Sequence, residues 1–228
     1  MTRRLLALAW LAAGCSAPSG PPGVTISNVQ IIDGSGGPAR AGAVRIVGDT
    51  IVAVGEVGPV RGDSIIDGGG LSLAPGFIDT HSHHDWDLEK IPDAMGAVSQ
   101  GITTIVAGND GGHQLPLAAM FDRLATSPVA VNVASYAGHG TIRAAVMGDD
   151  FKRAARPAEV DSMARLLQRE LDAGALGLST GLEYDPGINS DPSEVLALAK
   201  VAAAAKSRYI SHIRSEDRWF WQAIDEII

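Results

Sequence analysis

One stretch of this sequence constrains the fold more than any other: an apolar run that ends in a cluster of histidines. Residues 71–78 are mostly apolar, which predicts a short buried strand. His81 and His83 follow it, a third histidine adjoins them, and Asp79 and Asp85 flank the group. Alternate residues of an extended segment face the same side, so the two imidazoles are expected to project together. A lone histidine is more often a core residue, but this density of histidine and carboxylate predicts half of a metal site, with zinc as the natural ion.

The composition indicates a folded α/β protein rather than a disordered chain. Hydrophobic residues make up 46% and charged residues 19% of the 228 residues. The formal net charge is −8, and no extended run of lysine or arginine is present. Both features argue against a nucleic-acid or anionic-membrane binding surface, so we expect no nucleic-acid partner.

The first residues are typical of an export signal. Arg3 and Arg4 form a basic start, residues 5–11 a short apolar run, and residues 12–14 a small-residue cleavage site. The apolar run is far shorter than the ~20 residues that a membrane span needs. Cys15, the sole cysteine, follows directly, and the pattern Leu-Ala-Ala-Gly-Cys resembles a bacterial lipoprotein signal.

This N-terminal pattern predicts a signal peptide over residues 1–15 and a flexible linker over residues 16–23, rich in serine, proline and glycine. Lipidation of Cys15 would then be the only attachment to a membrane. The alternative is an ordinary secretory signal with an incidental cysteine. Either interpretation predicts an exported protein of the bacterial periplasm or outer membrane, without a disulfide framework.

The rest of the chain divides into a β-rich segment and a segment in which strands and helices alternate. Residues 24–66 alternate β-rich runs with Gly/Asp turns, which predicts a small antiparallel sheet in a domain over residues 24–70. The following residues alternate strand and helix patterns, which predicts βα units and a parallel sheet. The strands predicted there are residues 71–78, 102–107, 129–135, 175–179 and 209–213.

Three helices are expected between these strands. One lies around residues 92–99, and another over residues 156–171 with a proline near its start. The third follows Asp191, which is a favourable N-cap and is succeeded by a proline and an acidic first turn.

Several motifs carry a resemblance to a known family. The sequence Pro-Gly-Phe-Ile-Asp-Thr-His-Ser-His at residues 75–83 resembles the first-strand metal motif of the amidohydrolase superfamily. Residues 138–143, Gly-His-Gly-Thr-Ile-Arg, and residues 177–187, which contain Gly-Leu-Glu-Tyr, are similar to loops of its D-aminoacylase (N-acyl-D-amino-acid deacylase) branch. The resemblance implies an α/β fold, a TIM-type (β/α)8 barrel with only about five strands within residues 71–228, beside a small N-terminal β-sandwich subdomain.

The resemblance also implies metal ligands at the carboxyl ends of the strands. His81 and His83 form one pair, and His212, after the fifth strand, matches the first ligand of the family's tighter metal. Asp110 stands where the best-known members have a cysteine; a carboxylate is an acceptable zinc ligand, and a turn without a ligand is the alternative. Glu183 could be a metal-bridging carboxylate or a residue of a surface loop. One or two divalent ions, Zn²⁺ above all, are expected.

Two further residues are expected to contact substrate. The resemblance implies that Tyr184 helps bind the acylated substrate, with a residue of a surface loop as the alternative. His139 lies between two glycines and could polarise or hydrogen-bond the substrate, with a structural loop histidine as the alternative. The family's catalytic aspartate is expected beyond Ile228, so no catalytic residue is assigned here. These 228 residues alone are expected to be inactive, because an open five-stranded half-barrel exposes an edge strand.

The implied activity is metal-dependent hydrolysis of the linear amide bond of N-acyl-D-amino acids or related dipeptide-like amides, with metal-activated water as the nucleophile. The substrate is thus expected to be a small N-acylated amino acid or dipeptide. One alternative is a cyclic-amide hydrolase of the dihydropyrimidinase or dihydroorotase kind, against which the motifs at residues 138–143 and 177–187 argue. The other alternative is a non-catalytic, ligand-binding lipoprotein on a decayed barrel.

Overall fold

The computed structural model describes residues 20–58 and 60–228. The predicted signal peptide, with its lipidation site Cys15, and the first part of the predicted linker lie outside the described residues. The described residues divide into two compact units, the first ending at Pro75 and the second comprising Gly76–Ile228. Within the described ranges, no helix has both the length and the apolar character that crossing a membrane requires.

The first unit is a five-stranded sheet around β1 (Val24–Ile31). β2 (Arg40–Val47) pairs antiparallel with β1, and β3 (Thr50–Gly55) pairs antiparallel with β2, as predicted. β4 (Ser64–Asp67) and β5 (Ser72–Leu73) lie along the other edge of β1, and both run parallel to it. The prediction of an antiparallel sheet over residues 24–66 is therefore wrong for β4, and β5 joins this sheet although its residues were predicted within the strand at residues 71–78.

The parallel pairing follows from how the chain returns to β1. β4 pairs with residues 24–27 and β5 with residues 30–31, so the two short strands succeed one another along the same edge. In the turn between them, the amide of Gly68 donates to the carbonyl of Ser27 at 2.8 Å. The glycine-rich sequence of this turn predicts a break between strands, but it carries no information about their direction.

The junction between the two units also differs from the prediction. Residues 71–78 do not form one buried strand, because β5 belongs to the first unit and β6 (Phe77–Asp79) begins the second. Pro75 separates them, and proline lacks the amide hydrogen that would continue a strand ladder. Phe77 and Ile78 are each 61% exposed, since β6 has one partner strand among the described residues. The boundary thus lies after Pro75 rather than after residue 70.

The second unit contains parallel strands with helices between them, which confirms the predicted βα pattern. One parallel sheet consists of β6, β7 (Ile102–Ala107) and β8 (Asn132–Ser135), and a second of β9 (Ala137–Gly138), β10 (Gly177–Gly181) and β11 (Arg208–His212). The α-helices are α1 (Met95–Val98), α2 (Leu117–Thr126), α3 (His139–Met147), α4 (Pro157–Asp172), α5 (Pro192–Ala204) and α6 (Phe220–Ile227). The amide of Leu176 donates to the carbonyl of Ser135 at 2.8 Å, which joins the end of β8 to the chain entering β10.

Helices α4 and α5 begin where the sequence predicts. Pro157 opens α4, where its missing amide hydrogen removes no helical hydrogen bond. The side chain of Asp191 caps α5 by accepting a hydrogen bond from the amide of Ser193 at 2.8 Å. The buried apolar core around these helices consists of Leu117, Met120, Ala137, Ile142, Met147, Met163, Leu167, Ala175, Leu178, Leu198 and Ala202.

One predicted loop is a helix. Residues 138–143 were expected to border the active site as a loop, but α3 begins at His139. The amide of Thr141 donates to the carbonyl of Gly111 at 3.0 Å, which satisfies a first-turn amide that has no partner within the helix. Ile142 is fully buried in the core, so tertiary packing outweighs the low helix propensity of the glycines in this stretch.

Candidate metal centre

His81, His83 and Asp110 come together where the chain leaves β6 and β7. Nε2 of His81 lies 2.9 Å, and Nε2 of His83 3.0 Å, from the same Oδ2 oxygen of Asp110. Both histidines follow β6 rather than lying within it, yet they converge as the alternation predicts. One donor atom from each of the three residues lies within 4.8 Å of the other two, so the three could share one ion. We call these residues the first group.

Asp110 reaches the histidines because the loop after β7 turns back on itself. The φ angle of Asp110 is +54°, and Gly108 and Gly111 on either side of it have φ angles of +71° and +78°. This left-handed region favours glycine, and aspartate is among the few other residues that adopt it. The Asn-Asp-Gly-Gly sequence therefore forms the predicted turn, and the carboxylate of that turn faces the two histidines.

A second group consists of Glu183, His212 and Glu216. Nε2 of His212 lies 3.0 Å from Oε2 of Glu183 and 3.9 Å from Oε1 of Glu216, and one donor atom from each residue lies within 4.8 Å of the others. Glu183 follows β10, and His212 is the last residue of β11. Sequence reasoning missed Glu216, although its place four residues after His212 was an available signal.

Tyr184 contacts both groups. Its hydroxyl donates a hydrogen bond to the carbonyl of Asp110 at 2.9 Å. Its ring meets the imidazole of His212 edge to face, with the centroids 5.2 Å apart. Burial raises the pKa of Tyr184 to about 12, and the negative charges of Asp110 and Glu183 act in the same direction. The phenol therefore keeps its proton at neutral pH, while 41% of the residue remains exposed.

The flanking carboxylate of Asp85 is not part of the first group. It is buried, and both of its oxygens lack a hydrogen-bond partner among the described residues. Burial raises its pKa, because a charged carboxylate loses hydration there.

His139 lies in the core, so the prediction that it contacts substrate is wrong. Its Nε2 is 2.8 Å from Oε1 of Glu194, whose other oxygen accepts a hydrogen bond from Arg143. Arg143 also donates to the carbonyls of Phe151 and Asn189 at 3.0 and 3.2 Å. The side chains of His139 and Arg143 have no exposed surface. The structural alternative therefore holds for this histidine.

Glu194 remains ionised within this buried network. Burial alone would raise its pKa, but the hydrogen bonds from His139 and Arg143 outweigh that effect and leave the pKa below its usual value. The sequence marks Glu194 only as an acidic residue in the first turn of α5, so its pairing with Arg143 was not foreseeable.

His113 is a second buried histidine that sequence reasoning missed. Its Nδ1 accepts a hydrogen bond from the amide of Gly138 at 2.9 Å, and its Nε2 lies 3.7 Å from Glu170. Burial lowers the pKa of His113 to about 4, so the ring is neutral at pH 7. Its role is to join the loop after β7 to β9.

Unlike the buried histidines, the first and second groups offer accessible donor atoms of the kinds that zinc prefers. Imidazole nitrogen and carboxylate oxygen are common zinc ligands. The side chains of His81 and His83 are 56% and 55% exposed, so an ion can reach them. The residues present therefore fit a zinc ion at the first group, and His212 with its two carboxylates fits a second divalent ion.

Comparisons with known proteins agree with this arrangement. A model of the amidohydrolase family matches residues 64–225, more than half of the chain. N-acyl-D-glutamate deacylase of Alcaligenes xylosoxydans xylosoxydans is 40% identical, in an alignment that covers 90% of this chain and 46% of that protein.

Solved structures of N-acyl-D-amino-acid deacylases are also similar to this chain. N-acyl-D-glutamate deacylase from Bordetella bronchiseptica, complexed with zinc and a phosphonate inhibitor, matches with a TM-score of 0.84 and 35% identity, covering 91% of this chain and 48% of that chain. A D-aminoacylase structure described for its binuclear metal centre matches with a TM-score of 0.81 and 32% identity, covering 89% and 48%.

The chain spans about half the length of these relatives. The similarities confirm the predicted resemblance to the D-aminoacylase branch, and the matched model covers both groups of converging side chains. This chain belongs to the amidohydrolase family.

Proposed function

We propose that the protein hydrolyses the amide bond of N-acyl-D-amino acids, or of related dipeptide-like amides, in a metal-dependent reaction. The observation that carries this proposal is the convergence of His81, His83 and Asp110 on one point at the carboxyl ends of parallel strands. Relatives named N-acyl-D-aspartate and N-acyl-D-glutamate deacylase, 39% and 40% identical to this chain, point to the substrate class.

The fold we propose for the whole protein is a TIM-type (β/α)8 barrel beside a β-sandwich subdomain. If β8 and β9 count as one interrupted strand, this chain contributes five parallel strands with helices between them. Barrel enzymes of this type carry their active sites at the carboxyl ends of the strands, where both groups of side chains lie.

The first group would hold one Zn²⁺, and His212 with Glu183 and Glu216 would contribute to a site for a second ion. When bound, zinc polarises the amide carbonyl and lowers the pKa of a water molecule from ~15.7 to ~7. Two neutral imidazoles and one carboxylate in the first group keep part of the ion's positive charge uncompensated, which favours both effects.

Tyr184 would position the substrate. Because its pKa is about 12, its hydroxyl remains a hydrogen-bond donor at neutral pH. Its partly exposed ring lies against His212 and its hydroxyl against the Asp110 loop, so a substrate that spans both groups would contact it. The resemblance implies an aspartate after the eighth strand as proton acceptor, and we assign that role to none of the described carboxylates.

We also propose that the protein is exported and carries a lipid anchor at Cys15. The support is the sequence pattern of residues 1–15 alone. Growth of expressing bacteria with a labelled fatty acid should label the wild-type protein and leave Cys15→Ser unlabelled. Label on both proteins, or on neither, would contradict the anchor.

A hydrolysis assay tests the proposed activity. The full-length gene product is stripped of metal, reloaded with zinc, and incubated with N-acetyl-D-glutamate, N-acetyl-D-aspartate and N-acetyl-D-methionine. The matching L-enantiomers and the cyclic substrates dihydroorotate and hydantoin serve as controls. We expect zinc-dependent release of free D-amino acid and no reaction with the cyclic amides.

Two outcomes would contradict the proposal. Turnover of a cyclic amide without turnover of any N-acyl amino acid would identify a cyclic-amide hydrolase. Tight zinc binding with no turnover of any substrate would identify a ligand-binding protein on the same fold.

A further inference from the structure

The loop that carries Asp110 has a backbone conformation that most residues with side chains avoid. Gly108, Asp110 and Gly111 all have positive φ angles, which glycine adopts freely and aspartate adopts less readily than glycine. A non-glycine residue stays in this region only where its surroundings hold it there. The position of the Asp110 carboxylate therefore depends on contacts made by the rest of the loop.

Ser179 makes the contact that spans this loop. It lies in β10, about 70 residues further along the chain, and is fully buried. Its hydroxyl donates a hydrogen bond to the carbonyl of Gly108 at 2.5 Å and accepts one from the amide of Gly111 at 3.2 Å. A single side chain thus joins the residues on both sides of Asp110.

The loop is also closed by its own backbone turn, in which the amide of Gly112 donates to the carbonyl of Asn109 at 3.0 Å. The side-chain amide of Asn109 donates to the carbonyl of Val106 at 2.7 Å and to that of Ser82 at 3.4 Å, which ties the loop to its own strand and to the segment after β6. Tyr184 donates to the carbonyl of Asp110 at 2.9 Å. The amide of Thr141 donates to the carbonyl of Gly111 at 3.0 Å. Among the described residues outside the loop, Ser179 is the one whose side chain bonds to the loop on both sides of Asp110.

We propose that Ser179 is a positioning residue for the metal ligand Asp110. The Ser179 hydroxyl bridges Gly108 and Gly111 and so keeps the backbone of Asp110 in the left-handed region. As a result, the Oδ2 oxygen of Asp110 stays within 3.0 Å of Nε2 of both His81 and His83. This inference rests on the proposed function, since it assumes that the first group binds a metal ion. It adds a residue outside the ligand set on which the metal affinity depends.

The primary experiment measures the zinc dissociation constant of the metal-free, full-length gene product by competition with a chromogenic chelator. Groups that orient metal ligands typically change the affinity by about 10–100-fold when removed. We expect Ser179→Ala to weaken zinc binding by a factor in that range. Ser179→Cys keeps the side-chain size but has a weaker donor and acceptor, so its loss should be smaller.

Thr180→Val is the matched control. Thr180 is the next residue of β10 and is also fully buried, and its hydroxyl bonds to Ser211 at 2.8 Å and to Tyr209 at 3.0 Å. The variant removes two buried hydrogen bonds from the same strand without touching the Asp110 loop. It should be destabilised but bind zinc with wild-type affinity.

A double-mutant cycle separates positioning from general damage. In the Asp110→Asn background the ligand oxygen is already altered, so Ser179→Ala should cause little further loss of zinc affinity. Equal losses in both backgrounds would overturn the proposal, because Ser179 would then act independently of Asp110.

The remaining outcomes are also decisive. Wild-type zinc affinity in a folded Ser179→Ala or Ser179→Cys protein would refute the positioning role while leaving the proposed function intact. A loss of affinity in Thr180→Val as large as in Ser179→Ala would also refute it. A wild-type protein that binds no zinc would overturn the proposed function itself, and this inference with it.

Discussion

The second unit contains two histidine–carboxylate arrangements that look alike in distance and differ in environment. Nε2 of His81 lies 2.9 Å from Asp110, and Nε2 of His139 lies 2.8 Å from Glu194. The first pair is partly exposed, whereas the second is buried and completed by Arg143. The similar distances therefore do not imply similar roles.

The difference shows what separates a site from a structural network. In the buried network, His139 and Arg143 pair with the two oxygens of Glu194, and the side chains of His139 and Arg143 have no exposed surface that a ligand could reach. In the first group, two histidines converge on one carboxylate oxygen and no arginine or lysine bonds to it in the described part of the chain. We therefore assign metal binding to the first group and a structural role to the buried network.

The largest expected effect comes from breaking the buried network. Glu194→Leu leaves the Arg143 guanidinium buried without its carboxylate, and breaking a buried pair in this way typically costs about 3–5 kcal/mol in the free energy of unfolding. Urea denaturation of the full-length gene product measures this loss. The control is Glu183→Leu, compared in metal-free protein so that no bound ion contributes to stability. It removes the exposed carboxylate next to His212 and should change stability by only about 0.5 kcal/mol. Equal losses in the two variants would erase the distinction between the two regions.

The next largest effect should appear in metal affinity rather than in stability. Asp110→Asn removes a charged ligand from the first group, so we expect zinc affinity to fall by at least about 100-fold, the upper end of what outer contacts contribute. Isothermal titration of the metal-free protein measures it. Asp87→Asn alters a nearby exposed carboxylate that pairs with Lys90 and should leave the affinity unchanged. If Asp110→Asn bound zinc like the wild type, Asp110 would not be a ligand.

The third prediction concerns the buried His113, which should make the free energy of unfolding depend on pH. Its pKa is about 4 in the folded protein and about 6.5 in the unfolded chain. Below pH 6.5 the imidazole binds a proton in the unfolded chain, whereas His113 in the folded protein stays neutral until the pH approaches 4. The stability associated with the neutral buried ring is therefore fully present above pH 6.5 and is lost as the pH falls toward 4. Between pH 7 and pH 5 the loss should be on the order of 2 kcal/mol.

His113→Asn tests this assignment, because asparagine offers an acceptor to the amide of Gly138 but does not titrate. Other groups contribute to the acid sensitivity of both proteins, so the difference between their stabilities at pH 7 and pH 5 isolates His113. An identical pH dependence in the two proteins would contradict a neutral buried ring.

The smallest expected change in stability comes from the helix that carries part of the buried network. Asp191→Ala removes the cap of α5, the helix that carries Glu194, and loss of such a cap typically costs about 1 kcal/mol of stability. Zinc affinity should not change. Asp191→Asn keeps a capping acceptor and should lose less. A change in zinc affinity with Asp191→Ala would show that the buried network and the first group are coupled.

The sequence was sufficient for the βα pattern and for the convergence of the first group. The histidines at residues 81 and 83 and the carboxylate at residue 110 follow neighbouring parallel strands, so topology alone brings them near one another. The parallel pairing of β4 and β5 was not predictable, because short strands separated by glycines carry no signal of direction.

The role of His139 was not predictable for a different reason. Its flanking glycines suggest a loop, and its partner Glu194 lies 55 residues later in the sequence and is close only in the fold. The same holds for Ser179, whose two partners lie about 70 residues earlier in the chain. Contacts of this kind are set by tertiary packing, which no local pattern encodes.

The most direct test is an anomalous-difference map at the zinc absorption edge, from crystals of the full-length gene product grown with zinc. We expect a peak between the imidazoles of His81 and His83 and the carboxylate of Asp110, and none beside His139 and Glu194. A zinc peak at the buried network, or no peak at the first group, would contradict the assignment of the metal centre.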